Sequence, residues 1–440
     1  MFKTTSLCCF LLLSVLPALA QVEPSATGGL DLTLDDPRMM IPPPVSDQPF
    51  PMNIGMENRS NYFDAGMSFI SAYNDNLGIG NGSSPISDET YTFLPYFSVA
   101  RKTPRQSQLL SYSPGFTAYQ HTSGLNAFNQ NLLGQYFYHV SPYVTIYTQD
   151  SFGENSNTFN QTSSGEINGS PHSISPLLLV PFQKQYDNSA SAGLNDQFGR
   201  NAMVGGSATY DILHYEMANG GNSYDGYTTG ATGFYSRRFS GNQYAGLIYR
   251  YEKAITHPVR TATETQSTFG FYTVYLNQQL AISVMAGPQH YKTSDPNSVS
   301  ETGWTPAVLG SISWQTPRSN ISGSYAHLVR GADGLLGAQY TNSGNVLAQY
   351  RLAKTWSAGA AASFGYFSNV VSDSALLYPN GHTINETITV RHSFGENLAM
   401  QAGYARFDEN GGLNSGANQF PGINRVYLGV SYDFQKPLGR

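Results

Sequence analysis

The sequence predicts an all-β protein, a transmembrane antiparallel up-and-down β-barrel of about 18 strands (16 is the alternative count), behind an N-terminal signal peptide. Three observations predict this fold. Short and long connections alternate along the chain, the strands are long and alternate in polarity, and charged residues are scarce while aromatic residues are common. A barrel that crosses a bilayer has one rim of short turns and one rim of longer loops.

The alternation of connections begins after the first predicted strand. Every second connection is only a few residues long, for example 101–105, 198–201 and 394–397, and the others are longer and rich in Gly, Asn, Ser and Asp. The short turns are expected on the periplasmic side, which places both chain ends there. The longest connection, 153–186, is expected either to fold into the pore or to cover the outer mouth.

The predicted strands are mostly 11 to 14 residues long. A tilted membrane-spanning strand needs roughly 9–11 residues, whereas soluble strands average about 5–6. Alternation predicts one lipid face and one lumen face in segments such as 356–366 and 280–289. Aromatic residues beside the short turns predict an interfacial girdle; they are Tyr138, Tyr143, Phe198, Phe239, Tyr244, Trp314, Trp356 and Phe394.

Composition agrees with a wall that faces lipid on one side and a polar lumen on the other. Charged residues make up 12% of the chain, against about 25% in typical soluble proteins, and aromatic residues make up 13%. The net charge is -6 and no basic run is present, so we expect no nucleic-acid partner.

The chain divides into four predicted segments. Residues 1–20 have a basic start, an apolar stretch and a final Ala-Leu-Ala, which is typical of a cleaved secretory signal peptide. Residues 21–61 are rich in proline and are expected to be a flexible periplasmic segment, or one that enters the barrel or recruits a partner. The barrel is predicted over 62–434 and a tail over 435–440. Both cysteines, Cys8 and Cys9, lie in the leader, which excludes disulfides from the mature chain.

The last predicted strand reads YLGVSYDF over 427–434. It resembles the C-terminal assembly signal of bacterial outer-membrane β-barrel proteins, with Gly429, Tyr432 and Phe434 at the glycine and aromatic places. The resemblance implies a porin-like barrel class, location in the bacterial cell outer membrane and recognition by the barrel assembly machinery. Here a tail follows the terminal aromatic residue, so the signal would be internal.

Six charged residues are out of phase with apolar neighbours and are predicted to face the lumen. They are Asp211, Arg250, Glu252, Arg351, Arg391 and Asp433. Charges on the lipid face would cost several kcal/mol. In the lumen they could brace the wall as ion pairs, or they could filter solutes by charge. Both interpretations remain open on the sequence.

Catalytic and metal-binding patterns are weak. Several of the 9 histidines fall near the predicted long-loop rim, where a histidine could act as a base or metal ligand. No His-x-x-x-His pair and no Gly-x-Ser-x-Gly motif accompanies them. We therefore expect no enzyme activity, no cofactor and no metal.

The function that these features favour is a porin-like passive channel for small hydrophilic solutes, in contact with outer-membrane lipid. An alternative is a docking or export barrel for periplasmic polysaccharide or protein secretion, which the segment 21–61 would suit. A hydrolase at the rim is a weaker alternative. The sequence leaves the solute, the strand number and the oligomeric state open.

Overall fold

The computed structural model describes residues 61–77, 85–155, 184–216, 225–257, 261–277, 279–294, 300–331, 338–370, 381–410 and 420–438. These residues form one antiparallel sheet of 18 strands that closes on itself. The predicted all-β barrel class and strand number are confirmed. Within these ranges no helix is long and apolar enough to cross a membrane.

The strands follow one another around the wall in chain order. They are β1 (Tyr62–Asn74), β2 (Asp88–Lys102), β3 (Gln106–Tyr119), β4 (Ala127–His139), β5 (Val144–Asn155), β6 (Gln185–Gln197), β7 (Ala202–Tyr215), β8 (Asp225–Ser240), β9 (Gln243–His257), β10 (Thr261–Tyr275), β11 (Leu280–Ser294), β12 (Glu301–Gln315), β13 (Ser319–Gly331), β14 (Ala338–Arg351), β15 (Trp356–Asn369), β16 (Gly381–Phe394), β17 (Leu398–Asn410) and β18 (Phe420–Pro437).

The barrel closes where the first strand meets the last. β1 pairs with β2 on one side and with β18 on the other, in both cases along its whole length from Tyr62 to Asn74. β18 ends at Pro437, so its last residues extend into the segment predicted as a tail. A closed ladder leaves no sheet edge at this junction, which is the condition for β-structure in a bilayer.

The outer face of the wall is apolar. Outward side chains such as Leu247, Val346 and Leu428 are more than half exposed, and they alternate with buried side chains along each strand. The predicted lipid faces in 356–366 and 280–289 follow this alternation. An outer apolar band with a polar interior is typical of membrane barrels.

Tyr244 is the exception in the predicted girdle. It is buried and packs inside the barrel with Met203, Tyr275 and Ala281. Strand phase explains this, because Leu247 and Tyr249 point outward on β9 and place even-numbered residues inside. Six of the other girdle residues have exposed side chains, namely Tyr143, Phe198, Phe239, Trp314, Trp356 and Phe394, and Tyr138 is partly buried.

Several predictions fall on parts of the chain outside the described residues. These are the signal peptide (1–20), the proline-rich segment before residue 61, and most of the connection 153–186. Entry of the segment 21–61 or of the connection 153–186 into the pore stays a prediction.

Candidate functional site: the lumen wall and two strand junctions

A polar cluster crosses the closure of the barrel on its lumen side. Tyr96 on β2 donates a hydrogen bond from its hydroxyl to Asp433 Oδ1 on β18 at 2.9 Å. Arg391 on β16 lies 3.5 Å from the other Asp433 oxygen. Both members of the Arg391–Asp433 pair are mostly shielded from solvent. The structure thus brings together two of the six predicted lumen charges and adds Tyr96, which the sequence did not single out.

Gly66 makes this cluster possible. It is the residue of β1 that pairs with Tyr96 on one side and Asp433 on the other. A Cβ at Gly66 would collide with the Tyr96 ring and would lie 2.6 Å from the backbone oxygen of Tyr432. The tyrosine ring can therefore cross β1 only where no side chain stands in its path.

The other predicted lumen charges are also on the inward phase of their strands, but apart from this cluster. Arg250 and Glu252 are neighbours on β9, with Nε and Oε1 3.9 Å apart. Asp211 on β7 accepts a hydrogen bond from the hydroxyl of Ser189. Arg351 lies at the short-turn end of β14 and is exposed. No single charged ring is formed by the six residues.

One side of the lumen is polar. The inward faces of β13 to β16 present small hydroxyl and amide side chains, which are almost fully shielded from solvent. They include Ser322, Ser324, Ser343, Asn345, Ser363, Thr383, Asn385, Thr387 and Thr389. Asn385 donates to Ser363 across the β15–β16 pair at 3.2 Å. This is the lumen character that the sequence predicts.

The neighbouring part of the lumen wall carries an apolar patch, which departs from the predicted polar interior. We call it the apolar lumen patch. It consists of Ile248, Phe269, Phe271, Met285, Ala307, Leu309, Ala326 and Leu328 on β9 to β13. All but Ile248 are no more than 5% exposed. The alternation of β10 is weak because Tyr272 and Val274 are apolar on the outward face too, so the sequence did not assign the inward phase of its two phenylalanines.

The junction of β12 with β13 is only half paired. The register joins Val308–Gln315 of β12 to Asn320–His327 of β13 and goes no further. Residues 301–307 of β12 keep their register with β11, and β13 keeps its register with β14 to Gly331. The two strands therefore separate in the half of the wall that lies toward the long-loop rim.

Above this point the ends of β13 and β14 turn into the barrel. We call residues 328–331 and 338–340 the inward flap. Gly331 approaches Ala254 of β9 and Thr263 of β10, both on the inward phase of their strands. The Tyr340 hydroxyl lies 3.1 Å from that of Tyr291 on β11. The outward phase of the flap thus faces the inward phase of β9 to β11, and the wall overlaps itself.

Gln289 holds the flap in this position. Its side-chain oxygen accepts from the Val329 N–H at 2.7 Å, and its side-chain nitrogen donates to the Val329 carbonyl at 2.9 Å. All of these groups are buried. The amide of Gln289 therefore replaces one rung of the missing ladder between β12 and β13. It satisfies the backbone N–H and carbonyl of Val329 on β13, which have no partner on β12.

The long-loop rim holds the histidines that sequence analysis considered for chemistry. His121 Nδ1 lies 2.9 Å from Asp88 Oδ1, and His214 Nδ1 lies 2.6 Å from Asp225 Oδ2. Within the described ranges, no group of three His, Cys, Asp or Glu residues is placed to hold a metal ion. The first pair fastens the end of β2 to the β3–β4 connection, and the second joins the facing ends of β7 and β8, which are structural uses of histidine.

Asp88 is the best connected of these rim residues. Its carboxylate accepts from the backbone and the side chain of Thr122 and from the backbone of His121. Burial by itself raises the pKa of Asp88, but these hydrogen bonds outweigh it and hold the pKa at about 2. The neighbouring Glu89 points outward, and an acidic side chain on the lipid face is costly in hydrocarbon, so both residues lie beyond the hydrocarbon region.

The residues of the predicted assembly signal occupy both faces of β18. Tyr432 and Phe434 point outward and are about two-fifths exposed. Gly429 faces the lumen, where Gln401 and Ile70 occupy the space beside it. Recognition by the assembly machinery stays a prediction.

Comparisons with known proteins identify no family. No family model matches the chain, and no curated protein matches it. Similar solved structures include the ferric citrate transporter FecA in its unliganded form, at 10% identity over 85% of this chain and 79% of that one, with a TM-score of 0.42. OpdQ of Pseudomonas aeruginosa has 10% identity over 85% and 98%, with a TM-score of 0.40. OccAB4 of Acinetobacter baumannii has 9% identity over 86% and 99%, with a TM-score of 0.40.

No function transfers to this chain at such a level of likeness. The assignment of the architecture rests on the strands of this chain. A sheet of 18 strands that closes on itself, with an apolar outer face, is that of an outer-membrane β-barrel, the class that the sequence resembles.

Proposed function

We propose that the protein is a porin-like passive channel for small hydrophilic solutes across the bacterial outer membrane. The observation that carries this proposal is that the inward-phase side chains of four consecutive strands, β13 to β16, are largely hydroxyl and amide groups. Barrels of 16–18 strands enclose an aqueous opening. Hydroxyl and amide groups on its wall can replace water around a polar solute, and no energy source or reaction is required.

The charged pair Arg391–Asp433 is proposed to bias the permeant ions. It stands on the polar side of the lumen, with the guanidinium and the carboxylate 3.5 Å apart. Fixed charges on a pore wall select ions by their sign. Loss of one partner leaves the other charge unbalanced, so substitutions of the two residues are expected to act in opposite directions.

Planar-bilayer recordings of the purified mature protein test the proposal. We expect steady conductance without a partner, with Arg391→Gln shifting the reversal potential toward cation preference and Asp433→Asn toward anion preference. Arg406→Gln, at an outward residue of β17 that pairs with Asp408, is the matched control. Silence of the folded protein, or equal effects of all three substitutions, would contradict a solute channel that passes this pair.

A further inference from the structure

The half-paired junction of β12 and β13 lies inside the membrane band. Trp304 and Trp314 both point outward on β12 and are exposed, Trp304 by 71%. The two positions are ten residue steps apart, each step rises roughly 3.3 Å, and a tilt of about 40° projects the total to roughly 25 Å, the height of the apolar band. Residues 305–307 therefore lie at the height of the outer part of the hydrocarbon.

The free edge of β12 is suited to this position. The Gln315 N–H donates to Gln279 beside β11, and the β11–β12 register continues without a shift. Backbone groups alternate in direction along a strand, so those of Thr302, Trp304 and Pro306 point toward the missing β13. Proline has no N–H to leave unpaired in lipid, and Pro306 stands at the middle of this edge.

Apolar residues lie directly behind the edge. Ala307 and Leu309 are on the inward phase of β12, and Leu328 is at the start of the inward flap; all three belong to the apolar lumen patch. Wall, edge and patch thus form a continuous apolar path from the bilayer into the lumen. The inward flap closes this path, and Gln289 holds the flap in place by two hydrogen bonds to Val329.

We propose that this junction is a lateral port, through which one acyl chain of an outer-leaflet lipid reaches the apolar lumen patch when the inward flap moves. The occupant follows from the position of the port, because the medium outside the wall at the height of residues 305–307 is acyl chain. A polar solute would gain nothing from a lining of Phe269, Met285 and Leu309. The proposal does not depend on the passive channel, because lateral access and conductance are separate properties.

Quenching by brominated lipid tests the port with a matched pair of adjacent positions. In a background where Trp304, Trp314 and Trp356 are replaced by Phe, a single tryptophan is placed by Ile248→Trp or by Leu247→Trp. Ile248 is a partly buried member of the patch, whereas Leu247 points into the lipid. Tyr427→Trp, on the lumen phase of β18, reports a position away from the port. All variants are reconstituted in vesicles of acyl-chain-brominated phosphatidylcholine.

The expected result is loss of fluorescence at position 248 that approaches the loss at 247 and is several-fold greater than at 427. Quenching at 248 no greater than at 427 overturns the port. Heat-modifiable migration on gels confirms that each variant is folded. Because the readout is contact with bromine, failure of the channel proposal in bilayers leaves this result unaffected.

A reversible lock shows whether the flap is the moving part. The mature chain is predicted to be free of cysteine, so Ala254→Cys and Gly331→Cys can be introduced as a pair where β9 meets the flap. Oxidation is expected to suppress quenching at 248 by several-fold, and reduction to restore it, while quenching at 247 stays constant. If oxidation leaves the signal at 248 unchanged, the flap does not gate the port.

A latch variant gives an independent measurement. Gln289→Leu removes both hydrogen bonds to Val329 and is expected to increase quenching at 248. Gln289→Glu keeps an acceptor for the Val329 N–H and is expected to give an intermediate increase. Equal quenching in the parent and both variants would show that Gln289 does not control access.

Discussion

Two junctions between strands of this barrel, β18–β1–β2 and β12–β13, pair their backbone groups to very different extents. At β18–β1–β2 the strands pair along their whole length, and Tyr96 reaches over Gly66 to Asp433. At β12–β13 only the half toward the short turns is paired, and the Gln289 side chain replaces one rung of the missing ladder. The comparison shows that the sheet closes without uniform pairing: the last strand is fully paired with the first, whereas β12 and β13 separate halfway and a side chain replaces one rung on the β13 side.

The largest effect on folding is expected from a side chain at Gly66, where the Tyr96 ring crosses β1 at the closed junction. Gly66→Leu places a side chain against both the Tyr96 ring and the Tyr432 backbone oxygen, and backbone cannot move aside without loss of the β1–β18 ladder. We expect loss of the folded, heat-modifiable band in refolding from urea. Gly270→Ala, where a Cβ meets nothing within 4 Å, is the control and should fold normally; similar refolding yields for the two would contradict this account.

The next effect concerns the latch of the half-paired junction. Gln289→Leu removes two buried hydrogen bonds from Val329, each worth roughly 1 kcal/mol net and more where a partner is left unpaired. We expect the inward flap to open more easily by about 2–3 kcal/mol, measured as faster amide exchange in residues 328–331. Gln266→Leu, an outward residue of β10, is the matched control. Faster exchange throughout β18 as well would mean that the latch stabilises the whole barrel rather than the flap.

A smaller effect is expected at the closed junction when only its hydrogen bond is removed. Tyr96→Phe keeps the ring over Gly66 and deletes the hydroxyl that donates to Asp433, a bond to a charged group worth roughly 1.5–3 kcal/mol. We expect the free energy of unfolding in urea to fall by about 2 kcal/mol. Tyr325→Phe, whose exposed hydroxyl donates to Asn342, should cost clearly less, and the reverse order would contradict the structural role of the cluster.

The smallest effect lies at the outer end of β2, where Asp88 holds the connection between β3 and β4. Its pKa is lowered from 3.8 to about 2 in the folded state. The carboxylate therefore contributes full stability above about pH 4, and this contribution is lost as the pH falls toward 2. Proteolysis of that connection after exposure to pH 5 through 2 should increase only at the acidic end. Asp88→Asn should be sensitive at every pH, whereas Glu89→Gln should follow the wild type.

Sequence alone was sufficient for the number and order of the strands and for the faces of the strongly alternating ones. Long alternating segments such as 356–366 have one arrangement that keeps apolar side chains in lipid and backbone groups paired. The inward phase of Arg250, Glu252 and Asp433 followed from the same alternation. Tyr244 was assigned wrongly because proximity to a short turn predicts depth in the membrane and not direction.

Only the tertiary structure decided which residues meet across strands. Tyr96 and Asp433 are 337 positions apart along the chain, and nothing local indicates that a glycine between them leaves room for the ring. The half-paired junction is also invisible in the sequence, because alternation along a strand does not show where its pairing with a neighbour stops. A period of two fixes the face of a residue, whereas its height and its partner depend on register around the closed sheet.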